Sequence, residues 1–440
     1  MSSVSGTVSL GKVEYLEGSL KNIVNDIESS LNAKLGNSGD LTNSDSIMMS
    51  STTSGSGTHN LSIASGLDHN AIFKKESTDE DFVYIGTLSK GQVSNLTYTT
   101  GTIIRSSRGV YGLSGPFPTP LCPKGLAFKT SKFSTTKAST TVIVASTDTR
   151  SNVTLFESDG VTVADGPITI DDNGVGTLTC NGTGEFVVSS TANIVGVVNG
   201  NGTQLRILAP MSTRLICWNN GNTVSSLSGT ASVNWHRRNG TTGTTSVPSG
   251  TPTALGAGTS SAFEAAGCVI LRSNVPISCH TTSDGDGDQS IPGLPFDMLA
   301  HNFPNPGYLD NTDSFVAIGS PYVGSAKVYN SSGTIVATFQ ITRNGGTATS
   351  YADQQYPATG KWSPSDDGLT SLEGGFIKTT VPCMCVMNFK GSSVWTGTDG
   401  KEMLILGNTP LSCKALFVEN DSDMLYHRRW VGSSVNWAVA

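Results

Sequence analysis

Charged residues are scarce in this sequence. Asp, Glu, Lys and Arg together make up 14% of its 440 residues, whereas they make up about 25% of a typical soluble domain. The net charge of −7 argues against a nucleic-acid-binding protein, which would carry a basic stripe. Ser, Thr, Asn and 50 Gly take the place of the missing Lys and Glu. This neutral, hydrogen-bonding composition is typical of β-rich extracellular or particle-bound proteins.

Long apolar runs are also missing. No run approaches the ~18 residues that a transmembrane helix needs, so the sequence predicts no membrane insertion. The opening segment, MSSVSGTVSLGKVEYLEGS, lacks the basic stretch and apolar core of a secretory signal. We therefore expect the protein to be made in a cytoplasm.

The familiar catalytic and metal-binding motifs are missing too. The sequence contains no G-x-S-x-G, H-E-x-x-H, P-loop or dinucleotide fingerprint. Its six histidines are scattered, and its eight cysteines never form C-x-x-C. We predict no cofactor and no metal site, and we expect the cysteines to be buried free thiols. Cys383 and Cys385 alternate in the strand-like VPCMCVMNF and would face the same side.

One acidic segment, TTSDGDGDQS (281–290), invites comparison with a calcium loop. An EF-hand opens with D-x-D-x-D and closes with Glu at position 12, but position 12 counted from Asp284 is Pro295. Segments 199–204 and 397–402 occupy the same place in related stretches, with Asn in place of Asp or with a single Asp. Because Asn-Gly and Asp-Gly are hairpin-turn pairs, we interpret the acidic segment as a turn.

The one clear helical pattern covers residues 13–35. Apolar residues recur at steps of three and four, and Gly36 follows as a stop. A Ser/Thr/Gly-rich stretch comes next, so residues 1–80 are predicted to be a helix and an arm for docking or assembly. The helix could pack on its own domain, associate with other copies or dock on another protein. Its candidate contact residues are Leu16, Leu20, Ile23, Ile27 and Leu31.

Beyond about residue 80, short β-branched runs alternate with Gly, Asn, Asp and Ser, which is the pattern of an all-β protein. Segment 142–163 aligns without a gap with 315–336. Segments 184–210, 267–295 and 374–407 share another plan: Gly and an apolar strand, a small polar turn, a second apolar strand and a Gly-rich turn. These matches indicate repeated β units.

We predict a mainly β fold of tandem β-sandwich-like repeats with an isolated N-terminal amphipathic helix. The repeats would cover 135–214, 215–311 and 312–440, the last including C-terminal strands. Residues 81–134 would form a further β region.

Two clusters place His-Arg-Arg beside aromatic residues, in NWHRRNG (234–240) and YHRRW (426–430). Arginine can clamp a carboxylate or phosphate and can stack on an aromatic ring. A strand with alternating faces, a partner or subunit contact, and ligand recognition all fit these clusters. As candidate partner or subunit contacts we select Trp235, His236, Arg237, Arg238, Tyr426, His427, Arg428, Arg429 and Trp430.

Segment 363–375, SPSDDGLTSLEGG, carries Asp366, Asp367 and Glu373 after Tyr356 and Trp362. Glycoside hydrolysis needs two carboxyl groups ~5–9.5 Å apart, and aromatic rings beside acids can hold sugars. An acidic loop capped by Gly is also the ordinary composition of an exposed turn. Catalysis at this loop is therefore the alternative to a non-enzymatic function.

The repeated units SNVTLFESDG (151–160) and SAKVYNSSG (325–333), with the RILAPMSTRLICWNN run (206–220), resemble virion structural proteins of tailed bacteriophages, cyanophages in particular. The resemblance implies a fibre, tail appendage or capsid decoration made in the host cytoplasm. It implies other virion proteins as partners, a homo-oligomer with a trimer favoured, and contact with a host surface glycan or receptor. The expected function is non-enzymatic; the alternative is a tailspike-like glycan-degrading enzyme.

Overall fold

The computed structural model describes the chain between Ser46 and Gly407. The described ranges are 46–47, 59–65, 68–76, 79, 82–98, 102–106, 110–114, 122–123, 127–135, 138–146, 149–171, 174–199, 205–218, 222–238, 240–255, 267–281, 291–312, 314–343, 356–392, 395–405 and 407. The predicted mainly β fold is confirmed there, since the described residues form antiparallel sheets and only short 3₁₀ helices. Among these residues, no helix is long and apolar enough to cross a membrane.

The strands fall into four consecutive units in the described part of the chain. The first unit contains β1 (Ser46–Ile47), β2 (His59–Ala64), β3 (Asn70–Lys75), β4 (Val83–Leu88), β5 (Val93–Tyr98), β6 (Ile103–Ser106), β7 (Tyr111–Ser114) and β8 (Cys122–Pro123). The second contains β9 (Phe128–Thr135), β10 (Ser139–Ser146), β11 (Ser151–Glu157), β12 (Val163–Ile170), β13 (Val175–Asn181), β14 (Gly184–Asn199) and β15 (Leu205–Ile207).

The remaining two units follow directly. The third contains β16 (Ser212–Trp218), β17 (Thr223–Ser226), β18 (Thr230–Arg237), β19 (Thr242–Pro248), β20 (Thr253–Ala254), β21 (Cys268–His280) and β22 (Leu294–Pro295). The fourth contains β23 (Ala300–Pro304), β24 (Tyr308–Asp310), β25 (Phe315–Ser320), β26 (Gly324–Tyr329), β27 (Ile335–Ile341), β28 (Ala358–Trp362), β29 (Ser371–Glu373), β30 (Phe376–Ser392) and β31 (Trp395–Ile405).

One pairing pattern recurs in all four units. In the second unit, the first half of the long strand β14 pairs with β9 and β11, and its second half pairs with β10 and β15. In the third unit, β21 pairs with β16 and β18 and then with β17. In the fourth, β30 pairs with β23 and β26 and then with β25 and β31. In the first, β6 pairs with β1 and β3, and β7 pairs with β2.

The long strand of each later unit bends between its two halves. In β14, Ser189 pairs with Thr130 but Ile194 pairs with Phe128, so four residues of β14 face one residue of β9. The same kind of register shift occurs where β21 and β30 pass their partners. The sequence predicts a polar turn at these places; the strand instead continues through an irregularity, because surplus residues on one strand bend it out of register. The irregularity divides each long strand into two halves with different pairing partners.

Apolar runs without alternation mark strands that are buried on both faces. In β10, Val142 and Val144 belong to the core of the second unit, whereas Ile143 and Ala145 belong to a second cluster. That second cluster, here called the shared cluster, draws buried residues from all four units and is continuous with the core of the fourth. It joins the units through apolar contact.

The first unit also reaches the fourth through hydrogen bonds. The Tyr111 hydroxyl donates to the Leu404 carbonyl oxygen at 2.7 Å, and the Ser62 hydroxyl donates to the Pro306 carbonyl oxygen at 3.0 Å. Strands β2 and β3 of this unit lie within 1–80, the segment predicted to be a helix and an arm. They form strands because their apolar residues, such as Leu61 and Ile72, fill the unit core. The predicted helix 13–35 lies outside the described residues.

Candidate functional site

The first His-Arg-Arg cluster lies on β18 and just after it. This strand pairs with β19 on one side and with β21 on the other, where Trp235 faces Leu271 and His236 faces Ile270. Because successive side chains of a strand point to opposite faces, the cluster splits. Trp235 packs against the core of the third unit, and His236 reaches the fourth unit.

Trp235 and Arg237 have partners within the third unit. The Trp235 indole N–H donates to the Thr245 hydroxyl at 3.1 Å. The Arg237 guanidinium lies 4.9 Å from the centre of the Trp235 ring, within cation–π range. Gly243 lies opposite the ring, and a Cβ there would come within 2.2 Å of it. The close approach of Trp235 therefore requires glycine at this position.

His236 bridges the third and fourth units. Its ring packs edge-on against Tyr356, with 4.9 Å between the ring centres. Burial, and secondarily the nearby Arg272, lower the pKa of His236 below its usual range. Since that range is already centred near ~6.5, the ring is neutral at pH 7. A neutral imidazole suits an aromatic contact at a junction better than a charged one.

Arg238 follows at the same junction. It packs beside Gly267 and Thr359, because a Cβ on Gly267 would lie 3.3 Å from both side chains. Its Nε is buried and has no hydrogen-bond partner within the described part of the chain. Burial lowers the pKa of Arg238, yet a guanidinium remains protonated at neutral pH. The second cluster, with Tyr426, His427, Arg428, Arg429 and Trp430, lies outside the described residues, as do Leu16, Leu20, Ile23, Ile27 and Leu31 of the predicted helix.

The carboxyl groups of Asp366 and Asp367 have local structural partners. Pro364–Asp367 forms a 3₁₀ helix in which the Ser363 N–H donates to the Asp366 carboxylate at 2.8 Å. The Trp362 indole N–H donates to the Asp367 carboxylate at 2.7 Å. Gly368 ends the turn at a φ of +68°, a conformation that glycine accepts readily. Glu373 lies apart, exposed on β29.

A buried ion pair that the sequence does not reveal lies within the second unit, between β9 and β14, and its lysine also reaches the third unit. The Lys132 ammonium lies 3.0 Å from the Glu185 carboxylate, and both side chains are fully buried. Lys132 also donates to the Ser226 carbonyl oxygen at 2.9 Å and to the Ser249 hydroxyl at 3.3 Å, both in the third unit. Nearby, Ser134 and His280 share a hydrogen bond of 3.1 Å across the same junction.

The described cysteines confirm the prediction of buried free thiols. Cys180, Cys217, Cys268, Cys279, Cys383 and Cys385 are all reduced and buried. Burial raises the pKa of Cys180 and of Cys383 to about 12, so these thiols stay protonated. Within the described ranges, no group of three or more His, Cys, Asp or Glu residues is arranged to hold a metal ion. The acidic segment around Asp284 lies outside those ranges.

A pocket at the junction of the third and fourth units was also not predicted. It has a volume of about 290 Å³ and lies between Trp218 and Arg238 on one side and Thr359 and Lys361 on the other. Only Arg238 among these residues was a candidate from the sequence. The other three carry no local signal: Trp218 ends β16, while Thr359 and Lys361 lie about 140 residues further on, in β28.

No protein-family model and no curated protein sequence matches the chain.

Proposed function

We propose that the protein is a non-enzymatic structural component of a bacteriophage particle, a fibre, tail appendage or capsid decoration. It is anchored or oligomerised through its N-terminal segment and exposes sandwich-like β units. The observation that carries the proposal is the recurrence of one pairing pattern in four units that share a buried apolar cluster. Tandem copies of one fold extend a rigid surface, which is what a projecting particle component needs.

The junctions between units support this function. Apolar residues and hydrogen bonds, among them one from the buried Lys132 to Ser226, join neighbouring units, whereas flexibly linked domains have small, polar interfaces. The His-Arg-Arg cluster adds the contact between His236 and Tyr356. A body built in this way keeps its shape outside the cell.

The alternative, a glycan-degrading enzyme that uses segment 363–375, receives less support. Asp366 caps a short helix and Asp367 accepts a hydrogen bond from Trp362, so both carboxylates already serve the local fold. A polysaccharide-cleaving activity that disappears in Asp366→Asn, Asp367→Asn and Glu373→Gln variants would establish the alternative instead.

The proposal is tested by measuring the solution mass of the full chain and of residues 45–440 by light scattering. This truncation keeps β1 and every later strand. We expect a homo-oligomer, with a trimer favoured, for the full chain, and a folded monomer for the truncated chain. The physical reason is that an amphipathic helix, as the sequence predicts for residues 13–35, can cover its apolar stripe by association with other copies.

Two full-chain variants sharpen the experiment. Leu20→Ser combined with Ile23→Ser interrupts the stripe and should dissociate the oligomer. The control, Asn22→Ser with Asn25→Ser, changes the intervening positions and should leave the mass unchanged. If the full chain and the truncated chain are both monomers of equal stability, the proposal that the N-terminal segment assembles the protein is wrong.

A further inference from the structure

The pocket between the third and fourth units combines features that point to a ligand. Its walls come from strands of both units, so the packing of the two units creates it. The residues around it are Trp218, Arg238, Gly267, Ala317, Gln340, Thr342, Thr359, Gly360 and Lys361. Gln340 and Lys361 are exposed, so the pocket opens to solvent. Its volume of about 290 Å³ lies at the lower end of ligand pockets, which span ~300–1,000 Å³.

The charge of the pocket selects an anion. Arg238 and Lys361 contribute two cations, and no Asp or Glu lines the pocket, although the chain contains 34 acidic residues. The planar guanidinium of arginine offers two parallel N–H donors to a carboxylate. The Lys361 ammonium is held 4.9 Å from the centre of the Phe315 ring, which limits its freedom before a ligand arrives.

Two buried polar groups of the pocket lack hydrogen bonds within the described part of the chain. Thr359 is only 4% exposed, yet its hydroxyl has no partner. The Arg238 Nε is buried without a partner as well. Buried polar groups are nearly always hydrogen-bonded in native proteins, and an exception calls for an explanation. A ligand that carries both an anionic group and hydroxyl groups would satisfy both.

The rest of the wall suits a sugar ring. Trp218 supplies an indole that is 98% buried, and Ala317, Gly267 and Gly360 leave the adjoining wall without bulky side chains. Gln340 and Thr342 add donors and acceptors at the exposed edge. Apolar and aromatic walls with a few convergent polar groups are the usual construction of a small-ligand site.

We propose that this pocket binds an acidic sugar residue, with its carboxylate at Arg238 and Lys361 and its hydroxyl groups at Thr359 and Gln340. The site goes beyond the proposed structural function and exists whether or not the protein belongs to a particle. It makes the junction of two units a recognition site for acidic polysaccharide.

The test measures binding of glucuronate, glucose and inorganic phosphate to the full chain by calorimetry and ligand-observed NMR. Glucuronate is expected to bind more tightly than either of the other two. Arg238→Met should weaken glucuronate at least about 10-fold, because it removes a charged hydrogen bond, and Thr359→Val should weaken it about 5-fold. The matched control is Arg150→Met, at an arginine on the surface of the second unit, and it should bind like the unaltered chain.

Melting temperatures distinguish a ligand-binding role of Thr359 from a merely structural one. Because Thr359→Val removes a buried hydroxyl without a partner, its melting temperature should equal or exceed that of the unaltered chain while binding falls. Equal binding of glucose and glucuronate would overturn the carboxylate assignment. Equal binding of phosphate would overturn the sugar assignment. Glucuronate binding that neither variant weakens, or no glucuronate binding at all, would overturn the site.

Discussion

Lys132 is a charged residue buried in the interior of the protein. Its side chain is fully buried, and its ammonium group meets the Glu185 carboxylate and oxygen atoms of the third unit. Taking two charges out of water costs several kcal/mol for each ion, and only close pairing with further hydrogen bonds offsets this cost. Because Lys132 pairs with Glu185 inside the second unit and donates to the third, we expect it to favour one specific docking of the two units more than net stability.

We predict that Lys132→Met lowers the free energy of unfolding by about 3–5 kcal/mol, because it leaves Glu185 buried without a counter-charge. Urea denaturation followed by circular dichroism measures the loss. The double variant Lys132→Met/Glu185→Leu should recover most of the stability, since it removes both charges together.

Arg150→Met is the matched control, because the pair of Arg150 and Asp171 is exposed and exposed pairs contribute little. A Lys132→Met variant as stable as this control would show that the loss of the buried pair does not destabilise the fold.

Among the secondary-structure elements, a close contact between β25 and β21 determines how the fourth unit packs against the third. Gly319 lies on β25, between Thr359 of β28 and Met384 of β30. A Cβ on Gly319 would fall 2.0 Å from the Cys268 sulfur, which belongs to β21 of the third unit. Glycine at this position therefore permits the contact between the two units.

We predict that Gly319→Ala destabilises the protein by about 1–3 kcal/mol through overpacking. Cys268→Ala removes the colliding sulfur, so the double variant should be more stable than Gly319→Ala alone, and a double-mutant cycle in urea measures the coupling. Cys180→Ala changes a thiol in the second unit and should not rescue Gly319→Ala. Rescue by both cysteine variants would contradict the contact.

At the scale of the whole molecule, the shared cluster couples the units. The residues of this cluster come from all four units. The buried cysteines lie in different cores, so their reactivity can follow the unfolding of each: Cys180 in the core of the second unit, Cys217 in that of the third, and Cys383 in the shared cluster. Since removing any one unit would expose apolar surface of its neighbours, the units should unfold together.

We predict that these thiols become reactive in one transition. In a Cys122→Ser/Cys413→Ser chain, the six remaining thiols should resist a disulfide reagent at pH 8. They should react together at the urea concentration at which the tryptophan emission shifts to that of the unfolded chain. Separate transitions for Cys180 and Cys383 would show that the units unfold independently.

The raised pKa values of two of these thiols predict that the free energy of unfolding depends on pH. The folded-state pKa values of Cys180 and Cys383 are raised to about 12, against 9.0 for an ordinary thiol. Above pH 9 the unfolded chain therefore loses protons that the folded chain retains, so the free energy of unfolding under reducing conditions should fall as the pH rises toward 12.

The amino-acid sequence alone predicts the β class and the equivalence of 142–163 with 315–336. Both segments contain two strands and a turn that ends in a positive-φ glycine, Gly160 at +70° and Gly333 at +79°. These features were predictable because turn chemistry and hydrophobic spacing act over a few residues. The placement of Asp366 in a Gly-capped turn belongs to the same local class.

Tertiary packing sets which face of each apolar run meets its own unit and which meets a neighbour, as Val142 and Ile143 show. Tertiary packing also brings Lys132 to Ser226 of the third unit and Arg238 to Thr359 of the fourth. These pairs depend on how whole sheets pack, and packing is set by shape and burial summed over residues distant in the chain. No short stretch of sequence carries that information.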